Sequence, residues 1–188
     1  MSHPVHPPSA SRTTRATLLA AFAVAALLLS TASEANARTR RVVEHNADGS
    51  ATAHTGVARS GPNGAMLRGR TATIDGQGNG SVTRRGATVG AQGGMAVRQG
   101  STTRSADGSA SHSGTVSAQN AQGSLHSSGG GSRNADGSVE QARSTTATSA
   151  ATGNRVQTQS SYSKDSGLSH SATCYDASGT AMACPTRP

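Results

Sequence analysis

A glycine-centred turn returns about every 15 residues from residue 46 to the end of the chain, and no other feature constrains the fold as strongly. The copies run from Asn46-Ala47-Asp48-Gly49 and Pro62-Asn63-Gly64, through Ala106-Asp107-Gly108 and Ala135-Asp136-Gly137, to Asp165-Ser166-Gly167 and Ala177-Ser178-Gly179. The turn glycines are Gly49, Gly64, Gly78, Gly93, Gly108, Gly123, Gly137, Gly153, Gly167 and Gly179, at intervals of 15, 14, 15, 15, 15, 14, 16, 14 and 12. A fixed period describes a stack of small units, each supported by its neighbours. It carries almost no chemistry.

The tracts between turns favour strands. Arg70-Thr71-Ala72-Thr73-Ile74, Ser81-Val82-Thr83-Arg84 and Thr145-Thr146-Ala147-Thr148 are rich in residues that are stiff at χ1 and fit a pleated surface. Asp-Gly and Asn-Gly supply the positive φ that tight hairpins need. A second glycine near mid-repeat (Gly56, Gly69, Gly86, Gly100, Gly114, Gly129) suggests a second turn in each unit. The strands would then be short, about four to six residues or ~13–20 Å. An apolar residue follows many turns (Met66, Val82, Val97, Leu125, Val139, Val156), with a weaker column at Val57, Ile74, Val89 and Val116. Aligned across neighbours, these would make one thin apolar stripe. The expected fold is all-β: tandem ~15-residue strand-turn-strand repeats in an elongated antiparallel meander or a solenoid. Residues 38–45 would form a capping strand ahead of the first turn.

Composition keeps a second reading open. From residue 38 onward only 18 large apolar residues occur in 151 positions. That excludes an ordinary globular core, because burying each contributes only ~1.5–3 kcal/mol against ~1.5 kcal/mol of ordering cost per residue. A largely disordered Gly/Ser/Thr-rich basic chain is the alternative.

The N-terminus reads as a targeting segment. Arg12 and Arg15 precede an apolar run from Leu18 to Leu29, and Ala35-Asn36-Ala37 is a small-x-small cleavage site. A twelve-residue helix rises ~18 Å, short of a bilayer core. Residues 1–37 are therefore expected to be a signal peptide, 38–159 the repeat region and 160–188 a C-terminal cap. General secretory export to the periplasm, cell surface or medium follows, with no membrane span after cleavage. An exported chain with an even cysteine count pairs its thiols, so Cys174 and Cys184 are expected to close a disulfide across the Asp176–Gly179 turn.

Enzymatic chemistry finds no foothold. His45, His54, His112, His126 and His170 never fall at metal-ligand spacing, and no serine lies in a Gly-x-Ser-x-Gly elbow. The aspartates sit singly in turns, where turn hydrogen bonding accounts for them, and a calcium repeat needs more acids. Gly129-Gly130-Gly131-Ser132-Arg133 lacks the Lys-Ser/Thr ending and the flanking elements of a phosphate loop. No catalytic residue, cofactor or metal site is expected. The basic balance is the stronger lead: formal charge is +8 and the isoelectric point about 11.2. Distributed arginines (Arg68, Arg70, Arg84, Arg85, Arg98, Arg104) are candidate contacts for DNA, lipopolysaccharide or acidic polysaccharide. No aromatics interleave with them, so base stacking is absent. The blander account is that exposed arginines keep an edge-rich sheet soluble.

The Gly-Pro-Asn-Gly and Ala-Asp-Gly-Ser turns between Thr/Ser/Arg tracts resemble those of uncharacterised secreted Gly/Ser/Thr-rich repeat proteins of Gram-negative bacteria, over most of residues 46–170. That resemblance implies no activity. Curli-type amyloid subunits share tandem strand-turn-strand units, but here the glutamines are irregular and charge interrupts nearly every repeat, against cross-β fibrils. The Thr-x-Thr flavour of ice-nucleation repeats appears at Thr71-Ala72-Thr73 but is not maintained. The expected role is structural or adhesive, toward cell-surface or matrix components or by self-association, with binding of anionic polymers as the alternative.

Overall fold

A computed structural model describes residues 36–185, so the expected signal peptide lies almost wholly outside the described residues. Eleven strands follow one another in a single open antiparallel sheet, ordered as in the chain. They are β1 (Asn36–His45), β2 (Ala51–Gly61), β3 (Gly64–Ile74), β4 (Gly80–Gly90), β5 (Met95–Arg104), β6 (Ala110–Asn120), β7 (Gly123–Arg133), β8 (Val139–Ser149), β9 (Arg155–Ser163), β10 (Gly167–Tyr175) and β11 (Ala181–Met182). The meander expected from the period is the fold. Strand β1 contains the expected capping strand, and the 159/160 boundary falls within β9.

Every turn glycine read from the period, and no other residue among those described, has positive φ. The Asn46–Ser50 turn shows why: Gly49 N–H donates to Asn46 O at 3.1 Å while Asn46 N–H donates to Ser50 O at 2.9 Å. That pattern is a three-residue hairpin loop whose last residue must be left-handed. Asp75–Asn79, Gly90–Gly94, Ser105–Ser109, Asn134–Ser138 and Asp176–Thr180 repeat it.

The mid-repeat glycines correct the expectation of a second turn. Gly56, Gly69, Gly86, Gly100, Gly114 and Gly129 all lie within strands, and strands β2 to β4 are 11 residues long, not four to six. Each repeat is one strand and one turn. The apolar column is corrected for a related reason. Successive strands run in opposite directions, so the position after each turn alternates between the two ends of the sheet. Met66 pairs with Arg59 and Thr88, whereas Val82 pairs with Ala72 and Thr102 nearer the other end. Instead, a small apolar strip runs Ala96, Ala118, Leu125, Ala147, Val156, Cys174 and Met182 across β5 to β11.

A single layer has almost no interior. Cys174 (3% exposed) and Ser127 (5%) are the only described residues that are buried. Stability therefore rests on ladder hydrogen bonds and on cross-strand pairs between neighbours. The Cys174–Cys184 disulfide forms, with Cα atoms 5.2 Å apart, and folds the chain end back so that β11 lies against β10. Arg155 stacks over the Tyr175 ring at 4.6 Å beside it. Among the described residues no helix is long and apolar enough to cross a membrane.

Candidate polyanion-binding face

Residues directly opposite in an antiparallel pair share a face, and neighbours along a strand alternate faces. The register therefore sorts every strand arginine. Arg41, Arg59, Arg68, Arg70, Arg84, Arg98, Arg104, Arg133 and Arg143 project from one face. Arg38, Arg40, Arg85 and Arg155 project from the other. The two strand carboxylates, Glu44 and Glu140, belong to that second face. Nine arginines thus stand on a face to which no described strand contributes an acid.

Two lateral rows carry the centre of this face. One runs Arg41, Thr55, Arg70, Arg84, Gly100, Gly114, Gly129, Arg143. The next runs Val57, Arg68, Gly86, Arg98, Val116. Arg70 is directly opposite Arg84. Like charges in that position repel, and the sheet bears the cost with nothing structural in return.

The mid-strand glycines Gly86, Gly100 and Gly129 belong to this arrangement, whereas Gly56 and Gly69 lie on the opposite face. Gly56 opposes Arg40, Gly69 opposes Arg85, Gly86 lies between Arg68 and Arg98, Gly100 opposes Arg84, and Gly129 opposes Arg143. A bare Cα leaves room for the long neighbour to lie along the backbone. Arg98 does so: a Cβ on Gly86 would stand 3.2 Å from its Nε and 3.4 Å from its Cγ. Arg143 reaches along the same face, donating from Nη1 to Ser127 Oγ at 2.9 Å, while Ser127 also bonds Thr145 Oγ1 at 2.9 Å.

The acids are gathered elsewhere. The turns after β1, β3, β5, β7 and β9 lie at one end of the sheet, and each holds an aspartate: Asp48, Asp75, Asp107, Asp136 and Asp165. The turns at the other end hold Asn63, Gln92, Gln122 and Thr152 before the last, which has Asp176. In the Asp-Gly-Ser turns the carboxylate accepts from the serine: Asp48 Oδ1 takes Ser50 N–H at 2.9 Å and Ser50 Oγ–H at 2.7 Å. Such bonds favour the charged form and hold Asp48, Asp107 and Asp136 below the usual carboxylate range, with Ser50, Ser109 and Ser138 as main donors. Asn79 does the same for Asp75. The molecule is thus a basic face with an acidic rim along one end.

The candidate contacts Arg68, Arg70, Arg84, Arg98 and Arg104 share the basic face, and Arg85 points from the opposite one. Sequence reasoning passed over Arg41, Arg59, Arg133 and Arg143 as contacts. The signal was their even distance from the turn glycines of the aspartate end, Gly49 and Gly137, usable only once the strands are known to run unbroken. Histidines pair with hydroxyls across strands: His54 Nδ1 with Thr71 Oγ1 at 3.1 Å, His126 with Ser117 Oγ at 2.9 Å, His170 with Ser160 Oγ at 2.8 Å. Ser160 and His170 stand at a base–nucleophile distance. They sit on the basic strand face, which offers the imidazole no carboxylate to orient it. Among the described residues no group of three His, Cys, Asp or Glu could hold a metal. No family model, curated protein or solved structure matches this chain.

Proposed function

We propose that the chain is an exported, non-enzymatic β-repeat protein with an adhesive role at the cell envelope or surface, and that it adheres to an anionic polymer through its arginine face. The observation that carries this reading is the Arg70–Arg84 opposition within a face of arginines without acids. Solubility alone asks for mixed charge on both faces, whereas here the signs are segregated. A bound polyanion converts that repulsion into attraction and releases counterions. The described aromatics are Tyr162 and Tyr175, one on each face, so stacked bases have no platform. An acidic polysaccharide fits better than a nucleic acid.

The test is binding to an unbranched uronic-acid polysaccharide and to duplex DNA across a salt series. Affinity for the polysaccharide should fall linearly in log–log form with salt. Arg70→Ser/Arg84→Ser/Arg98→Ser should weaken it about tenfold or more at ~0.1 M salt, while Arg38→Ser/Arg85→Ser/Arg155→Ser should change it little. Equal losses from both triples would mean that net charge, not a face, does the binding. A second, structural reading is favoured by the open outer edge of β1, which another chain can extend.

A further inference from the structure

The two ends of the sheet differ. At the far end β11 covers Cys174 and Tyr175 of β10, leaving Gly167–Thr173 open, a stretch without Asp, Glu, Lys or Arg. At the near end β1 pairs with β2 along its whole length, and no described strand lies on its other side. Unpaired backbone donors and acceptors on an edge invite another strand, and charges on the edge usually repel it. Strand β1 carries Arg38, Arg40 and Arg41, which suit that guarding role, but also Glu44, which does not.

We propose that β1 pairs antiparallel with β1 of a second copy, about a two-fold axis at Val42, so that Arg40 of each chain faces Glu44 of the other. The register follows from symmetry. A two-fold axis normal to the sheet keeps each face continuous, and opposite residues share a face, so one residue must meet its own copy. Centring on Arg40 or Arg41 sets arginine against arginine, and centring on Glu44 sets glutamate against glutamate. Centring on Val43 opposes Glu44 to Val42 and Arg40 to Asn46. Centring on Val42 opposes Arg40 to Glu44 twice, Arg41 to Val43 and Thr39 to His45. The only like charges then near each other are the two Arg41 side chains, on a diagonal ~7–8 Å apart. The dimer is closed and carries both arginine faces on one side. This inference stands independently of what those faces bind.

Sedimentation velocity over a concentration series, with non-reducing electrophoresis of cysteine variants, tests it. The protein should dimerise, and Arg40→Glu or Glu44→Arg alone should raise the dissociation constant about tenfold or more by opposing like charges. Combining Arg40→Glu with Glu44→Arg should restore wild-type dimerisation, which a folding defect would not do. Val42→Cys should cross-link to a dimer on mild oxidation and Val43→Cys should not. A monomer at every concentration, a double variant as weak as the singles, or equal cross-linking at both positions would overturn the proposal. So would a ladder of larger species, because only head-to-tail pairing of β1 with the open stretch of β10 can propagate.

Discussion

A glycine inside a strand normally weakens it, yet six of the strands keep one near their middle. Their surroundings divide them. Around Gly56 and Gly69 an added methyl would meet nothing within 4 Å. At Gly129 it would stand 2.6 Å from Ala142 O and 3.0 Å from the Arg143 Cα, both backbone atoms of β8. Gly130 is as crowded from the other side, 2.6 Å from His112 O of β6. Gly56→Ala should therefore be neutral or stabilise by up to ~1 kcal/mol, since alanine loses less backbone freedom on folding. Gly129→Ala should destabilise by ~1–3 kcal/mol, because two strands must part to admit it. Urea unfolding followed by far-UV circular dichroism separates the two, and equal effects would mean that β7 does not approach its neighbours this closely. None of this contrast was legible in the sequence. All six glycines fall five to eight residues after a turn glycine, and only the facing strand tells open space from a close backbone contact.

Turns were the legible element. Each requires one left-handed residue, only glycine supplies it without strain, and so the period of glycine printed the period of the hairpins. Strand length was misread because glycine has a second use here that leaves the same mark. Neighbouring turns are also tied laterally, which no local sequence signal announces. Ala106 N–H donates to Asn79 Oδ1 at 2.9 Å, Ala91 N–H to Asn63 O at 3.2 Å, and Ala150 N–H to Gln122 O at 2.9 Å. Asp48, Asp75, Asp107 and Asp136 brace their turns as ionised acceptors. Their folded pKa values lie below the ordinary 3.8, so their contribution is complete above that value and is lost as pH falls through the lower folded value. The midpoint of thermal unfolding should be flat from neutral pH to about pH 5 and fall steadily below about pH 4. Asp48→Asn/Asp107→Asn/Asp136→Asn should flatten that acid limb, because an asparagine oxygen accepts the same backbone N–H at any pH. An acid limb unchanged in the triple variant would move the effect to other carboxylates.

Across the whole molecule, each described strand pairs only with the strands before and after it in the chain. Such an array has no closing contact, so its length is free as long as register and parity survive. Two repeats can therefore be removed without disturbing the rest. Excising Gly90–Gln119 joins Val89 to Asn120, which already turns into β7 through its Oδ1, accepting Gln122 N–H and Gly123 N–H at 3.0 Å each. The row that runs Thr88, Ala96, Ala118, Leu125 closes to Thr88 opposite Leu125, and the row Arg84, Gly100, Gly114, Gly129 closes to Arg84 opposite Gly129. Both faces keep their sign, the acidic turns stay at their own end, and an arginine still opposes a glycine. The shortened, oxidised chain should give the same β spectrum per residue as the full chain and a cooperative melt within a few degrees of it, since the lost interfaces are replaced by one of the same kind. Binding to the polysaccharide should weaken, because Arg98 and Arg104 leave with the excised pair, and its salt slope should become shallower. A shortened chain that collapses to coil while the full chain folds would show that the meander depends on contacts beyond its neighbours, and the repeat could no longer be treated as its unit of stability.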